Sequence, residues 1–198
     1  METATMREVS ATAGFFAAVS EGLSWAVRDL PGGKIIGGRI VTRRGAVRLL
    51  FERAFSENDG FEITTGAGGY GVAAGRPRAF IAGVLNLAKR LSDGRTAEWK
   101  VVPRFRSRLY KHEANIVGPG AGQHTWVGDL DEEFWVAYAK ALVRLHFTGL
   151  VFYAHYHPFE CFLDYDRFPE APSLPARRRA ATLAGLKRAF GVARSFGL

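Results

Sequence analysis

The chain has 198 residues, 47% hydrophobic and 23% charged, with a formal net charge of +8 and an isoelectric point near 10. A chain of that length and composition buries a core of its own, which excludes wholesale disorder. The single cysteine, Cys161, excludes an internal disulfide and a cysteine-based zinc cage, and fits a reducing, intracellular compartment. No stretch approaches the roughly 18 apolar residues that span a bilayer, so no transmembrane segment is expected.

In chain order, the first element is a helix over residues 10–30. Phe15, Val19, Leu23, Ala26 and Leu30 recur at three- and four-residue spacing, and Pro31-Gly32-Gly33 ends the run. The excess of Arg over acid in the first 50 residues mildly resembles an organelle transit sequence, with Glu2, Glu8 and Glu21 against it. Residues 34–42 read as a short strand interrupted by Gly37-Gly38. Residues 45–55 suit either regular state and are read as helix. Residues 61–65 read as a strand, followed by a glycine-rich loop over 66–75.

Pro77 opens a helix over 77–91, with Phe80, Val84, Leu87 and Leu91 on one side. Asp93-Gly94 marks a turn. Strands are expected over 97–102, 104–110 and 112–117, and a loop over 118–129. A helix follows over 131–146, with Asp129 as its cap and Phe134, Tyr138, Leu142 and Leu145 as its seam. Residues 149–157 read as the clearest buried strand, stopped by Pro158. A basic helix from about 173 to 196 closes the chain as an arm. The fold class expected is α+β: a mixed or antiparallel sheet with helices packed on it and a basic C-terminal helical arm. Residues 1–168 form one domain, and 169–198 a proline-punctuated linker with the basic helix.

Gly66-Ala67-Gly68-Gly69-Tyr70-Gly71 satisfies G-x-G-x-x-G, but its helix is delayed to Pro77 and no acid closes the following strand. It is therefore read as a flexible loop or tight turn. On a strand Arg104, Arg106 and Arg108 share one face, where three guanidiniums need an anion to neutralise them. Arg177, Arg178, Arg179, Lys187 and Arg188 make the last helix a second anion- or partner-binding surface, with Leu183, Leu186 and Phe190 as its apolar docking side.

His155-Tyr156-His157-Pro158 sets two imidazoles on one face of a strand, where both suit one metal. The segment resembles the JAMM/MPN zinc isopeptidases. That resemblance implies zinc on His155, His157 and Asp166, with Glu113 activating the metal-bound water. The family's serine is absent between Pro158 and Phe168. The His-x-His pair also resembles single-strand endonucleases of the His-hydrophobic-His type, whose nucleophilic tyrosine has no match on a helix after the motif.

The first expectation is thus a non-catalytic, basic structural or accessory subunit without a cofactor. It would belong to a larger assembly, namely a ribonucleoprotein, an organellar membrane complex or a virion. Its partners would be other protein subunits, RNA or another polyanion, and less readily an anionic membrane surface. Mitochondrial or virion-associated locations are carried with that reading. The alternative is a JAMM-like zinc-dependent hydrolase.

Overall fold

A computed structural model describes residues 7–8, 20–36, 39–113, 126–153 and 175–198. Nine strands and four α-helices lie among them: β1 (Arg7–Glu8), α1 (Ser20–Val27), β2 (Lys34–Ile36), β3 (Arg39–Thr42), β4 (Gly45–Phe51), β5 (Phe61–Gly66), β6 (Gly69–Ala74), α2 (Pro77–Ser92), β7 (Trp99–Val101), β8 (Leu109–Glu113), α3 (Glu132–Arg144), β9 (Gly149–Tyr153) and α4 (Ala176–Ser195). The first seven strands form one mixed sheet in the order β2-β3-β4-β6-β5-β7, with β1 beside the end of β4. All its ladders are antiparallel except β4–β6. β8 and β9 form a separate parallel pair. This is the α+β class with a mixed sheet, packed helices and a C-terminal helix.

Three local readings are corrected. Residues 45–51 are strand rather than helix, because β6 and β3 flank them and their registers bury Val47. Only Arg53–Phe55 coils, as a 3-10 turn in which the Glu52 carboxylate accepts from the Ala54 amide. The glycine-rich run is not a loop but the β5–β6 hairpin and strand β6. Gly66 pairs with Gly69 across Ala67-Gly68, and Gly68 takes φ +97°. A Cβ on Gly69 (φ +145°) would lie 2.0 Å from the Ala46 carbonyl oxygen, so the glycine permits the close approach of β6 to β4. Residues 104–108 form no strand; the ladder begins at Leu109. The Gly37-Gly38 interruption separates two antiparallel strands, β2 and β3.

α2 has Pro at its first turn as expected, and it is apolar nearly all round: Ala79, Phe80, Ile81, Val84, Leu85 and Leu87 are all buried. Such a helix belongs in the interior. It lies on β5 and β6, where a Cβ on Gly83 would meet Val72 Cγ1 at 2.4 Å, and it packs against α1 and α3. α3 is capped by Asp131, whose carboxylate accepts from the Phe134 amide at 2.8 Å, rather than by Asp129.

α4 is basic on its outer side, but its inner side is core: Leu186, Ala189, Val192 and Phe196 join the same hydrophobic cluster as the sheet and α2. The arm is therefore docked. A Cβ on Gly185 would lie 2.4 Å from the Val127 carbonyl oxygen, and one on Gly22 2.1 Å from that of Ser195. Among the described residues no helix is long and apolar enough to cross a membrane.

Candidate functional site

β8, α3 and β9 form a β–α–β unit with parallel strands, followed by α4. In parallel sheets, ligand sites lie beyond the carboxyl ends of the strands, where the connecting loops leave them. Here those ends carry Lys111-His112-Glu113 on β8 and Phe152-Tyr153 on β9, with Glu113 opposite Tyr153 in the ladder.

Alternation divides the pair into two faces. Tyr110, His112, Leu150 and Phe152 face the helices. The His112 ring meets those of Trp135, Tyr138 and Phe152 at 5.5, 5.1 and 5.6 Å, all near edge-on. His112 Nδ1 and the Tyr138 hydroxyl are hydrogen-bonded at 2.9 Å. Burial first, and then a hydrogen bond with Tyr110, push the Tyr138 phenol above its ordinary pKa, so it stays protonated there.

The opposite face carries Leu109, Lys111, Glu113, Val151 and Tyr153. Lys111 Nζ lies 3.1 Å from Glu113 Oε1 and 3.8 Å from the centre of the Tyr153 ring. A carboxylate, an ammonium and an aromatic plate thus converge at the strand ends. Glu113 and Lys111 are 39% and 52% exposed, and no helix covers this side among the described residues.

An ion cluster beneath the pair fixes where the strands begin. Asp59 is 5% exposed, and its two oxygens each accept from Arg78 NH2 at 2.9 Å. Arg108 NH2 reaches the same carboxylate at 3.3 Å, and Arg108 also donates to the carbonyls of His146 and Phe105. Arg78 donates to the carbonyls of Thr148 and Gly197. One carboxylate therefore ties the loop before β5, the start of α2, the approach to β8, the turn after α3 and the C-terminus. His146 sits in that turn at φ +65°. Burial first, then Arg108, hold its imidazole below the ordinary pKa; Asp59 acts the other way.

The candidate residues separate accordingly. Arg104, Arg106 and Arg108 do not line one strand face. Arg108 is a structural cation bound to Asp59, Arg106 meets Glu57 at 3.3 Å with both 81% exposed, and Arg104 is exposed. On α4, Arg177, Arg178 and Lys187 are exposed, Arg179 is half-buried and Arg188 donates to the Leu130 carbonyl at 2.6 Å. Leu186 is buried, while Phe190 is 50% exposed against Phe152. Glu113 lies at the end of β8. His155, His157 and Asp166 lie outside the described residues. The buried strand ascribed to 149–157 is described as far as Tyr153, and alternate residues of it are exposed. Nothing in the local sequence singles out Lys111 and Tyr153; only the parallel register of β8 and β9, 40 residues apart, brings them together.

No family model matches the chain. No curated protein sequence matches it either. Among solved structures, it is similar to a GH138 enzyme targeting pectin rhamnogalacturonan II, at 16% identity and a TM-score of 0.62. The likeness covers 96% of this chain and 23% of that one, so this chain spans less than a quarter of the matched enzyme's length. At that identity it is a likeness of fold. It overturns the expectation of a non-catalytic subunit of a ribonucleoprotein, membrane complex or virion, because nearly the whole chain has the fold of part of an enzyme. It does not bear on the JAMM-like zinc-hydrolase alternative, whose His155, His157 and Asp166 lie outside the described residues. What the likeness shows is the fold alone, α+β, consistent with the mixed sheet and packed helices described above.

Proposed function

We propose that the chain is part of a carbohydrate-acting, glycosidase-like protein that takes an acidic polysaccharide at the carboxyl ends of β8 and β9. The observation that carries this reading is the convergence of Glu113, Lys111 and Tyr153 on one open face of a parallel strand pair. Glycosidases work with two carboxylates flanking the scissile bond. Glu113 would be one. The sequence after β9 holds further carboxylates, Glu160, Asp164 and Asp166, outside the described residues. The Tyr153 ring would stack on the apolar face of a sugar, and Lys111 would meet a substrate carboxylate.

Two further facts support the reading. The similar enzyme is described as targeting pectin rhamnogalacturonan II, and the net charge of +8 favours a polyanion. The exposed cations Arg104, Arg106, Arg177 and Arg178 would contribute to that long-range attraction.

The test is a calorimetric titration with an oligogalacturonide. The wild-type chain is expected to bind, Tyr153→Ala to bind about tenfold more weakly, and Lys111→Ala to bind more weakly with a reduced salt dependence. Absence of binding, or binding untouched by both substitutions, would refute the reading.

A further inference from the structure

Among the described residues β9 is hydrogen-bonded on one edge only, to β8. Beside its other edge, among the described residues, both faces are partly exposed. On the helix side a cleft of about 520 Å³ runs between β9 and α4, lined by Leu150, Phe190 and Leu198 with Lys187 and Arg194. Lys187, Phe190 and Arg194 recur at three- and four-residue spacing, so they form one stripe of α4. Neither cation has an anionic partner among the described residues. On the opposite face Val151 and Tyr153 are each 43% exposed. A two-stranded sheet is marginal alone, and an apolar, unpaired edge is a template for another strand.

We infer that β9 accepts a further strand: an extended, acidic segment of a partner polypeptide. It pairs with the open edge of β9, sets apolar side chains in the cleft against Leu150 and Phe190, and places carboxylates on Lys187 and Arg194. Strand addition of this kind takes its affinity from main-chain hydrogen bonds and its specificity from alternate side-chain pockets. Charge selects the occupant. A second copy of this chain would bring another +8 to an edge already flanked by two unpaired cations. An acidic strand neutralises them. The inference is independent of the carbohydrate reading, because it uses the edge of β9 and the helix side, not Lys111 or Glu113.

The experiment uses the full chain and a fluorescein-labelled octapeptide of alternating valine and glutamate, followed by anisotropy and by hydrogen exchange of β9. Saturable binding is expected, with slowed exchange at residues 150–153. The double variant Lys187→Glu/Arg194→Glu, exposed at both positions and checked for folding by circular dichroism, is expected to bind about tenfold more weakly. A valine–lysine peptide is expected not to bind. The inference is overturned by no saturable binding, by equal binding of the lysine peptide, by unchanged exchange in β9, or by a dimer in sedimentation that buries β9 instead. Oligogalacturonide titration of the double variant Lys187→Gln/Arg194→Gln at high salt keeps the two readings apart, since Lys111, Glu113 and Tyr153 are untouched and the long-range attraction is screened.

Discussion

The seven-stranded sheet and the β8–β9 pair both have helices on one face, yet they leave the other face in different states. In the mixed sheet the covered side holds Val47, Phe61, Ile63 and Val72, all buried, while Glu62, Thr64 and Arg48 alternate toward water. Largely antiparallel sheets tolerate a wet face, and the alternation shows one. In the parallel pair the face that no described helix covers carries Leu109, Val151 and Tyr153 together with Lys111 and Glu113. Parallel strands normally have both faces covered. Among the described residues the first region buries its apolar side, whereas the second presents chemistry and apolar surface at once, as a ligand- or partner-binding face would.

The sharpest way to break this comparison is to cut the tie between the regions. Asp59→Ala leaves Arg78 and Arg108, 19% and 17% exposed, without their carboxylate. Removing one partner of a buried charge cluster costs about 3–5 kcal/mol, which for a chain of this size lowers Tm by roughly 10 °C. Thermal unfolding followed by circular dichroism measures it, and a loss of only a degree or two would mean the regions hold together without this cluster. Gly185→Val tests the docking of α4. Its side chain would strike the Val127 backbone, with an expected loss of about 1–3 kcal/mol in denaturant unfolding.

A third perturbation uses pH. Burial and Arg108 hold the His146 imidazole below its ordinary value of 6.5, so the folded state favours the neutral ring. The unfolded chain then binds the proton first, and stability falls as pH drops through 6.5 toward the lowered folded value, levelling below it. His146→Asn, a residue that tolerates the left-handed backbone, is expected to remove that part of the pH slope. Tm measured for both proteins between about pH 5 and 7.5 checks it, and parallel slopes would contradict it. The smallest effect is assigned to Arg106→Ala. Its ion pair with Glu57 is 81% exposed on both sides, so urea unfolding is expected to shift by less than about 0.5 kcal/mol.

The elements legible in the sequence are those whose own spacing carries the signal. Pro77 and the apolar seam after it give α2, and the Phe61-Ile63 alternation gives β5. β6 is hidden because its glycines look like a loop; they are needed for the approach of β6 to Ala46 on β4, 23 residues earlier by the ladder. β4 is hidden because Leu49-Leu50-Phe51 satisfies either period, and only its two neighbours make it a strand. The arginine alternation at 104–108 suggests an anion-binding face, but the counter-ion of Arg108 is Asp59, 49 residues away. Glu113 stands out for its residue type and its place near a strand. Its companions Lys111 and Tyr153 depend on a register that local sequence does not encode.

The central claim is that the carboxyl ends of β8 and β9 meet the carbohydrate. Hydrogen exchange with and without saturating oligogalacturonide tests it most directly. Slowed exchange confined to residues 111–113 and 151–153 is expected, with β2–β6 unchanged. Protection centred instead on α4 or on residues 104–106, or no protection at all, would contradict it.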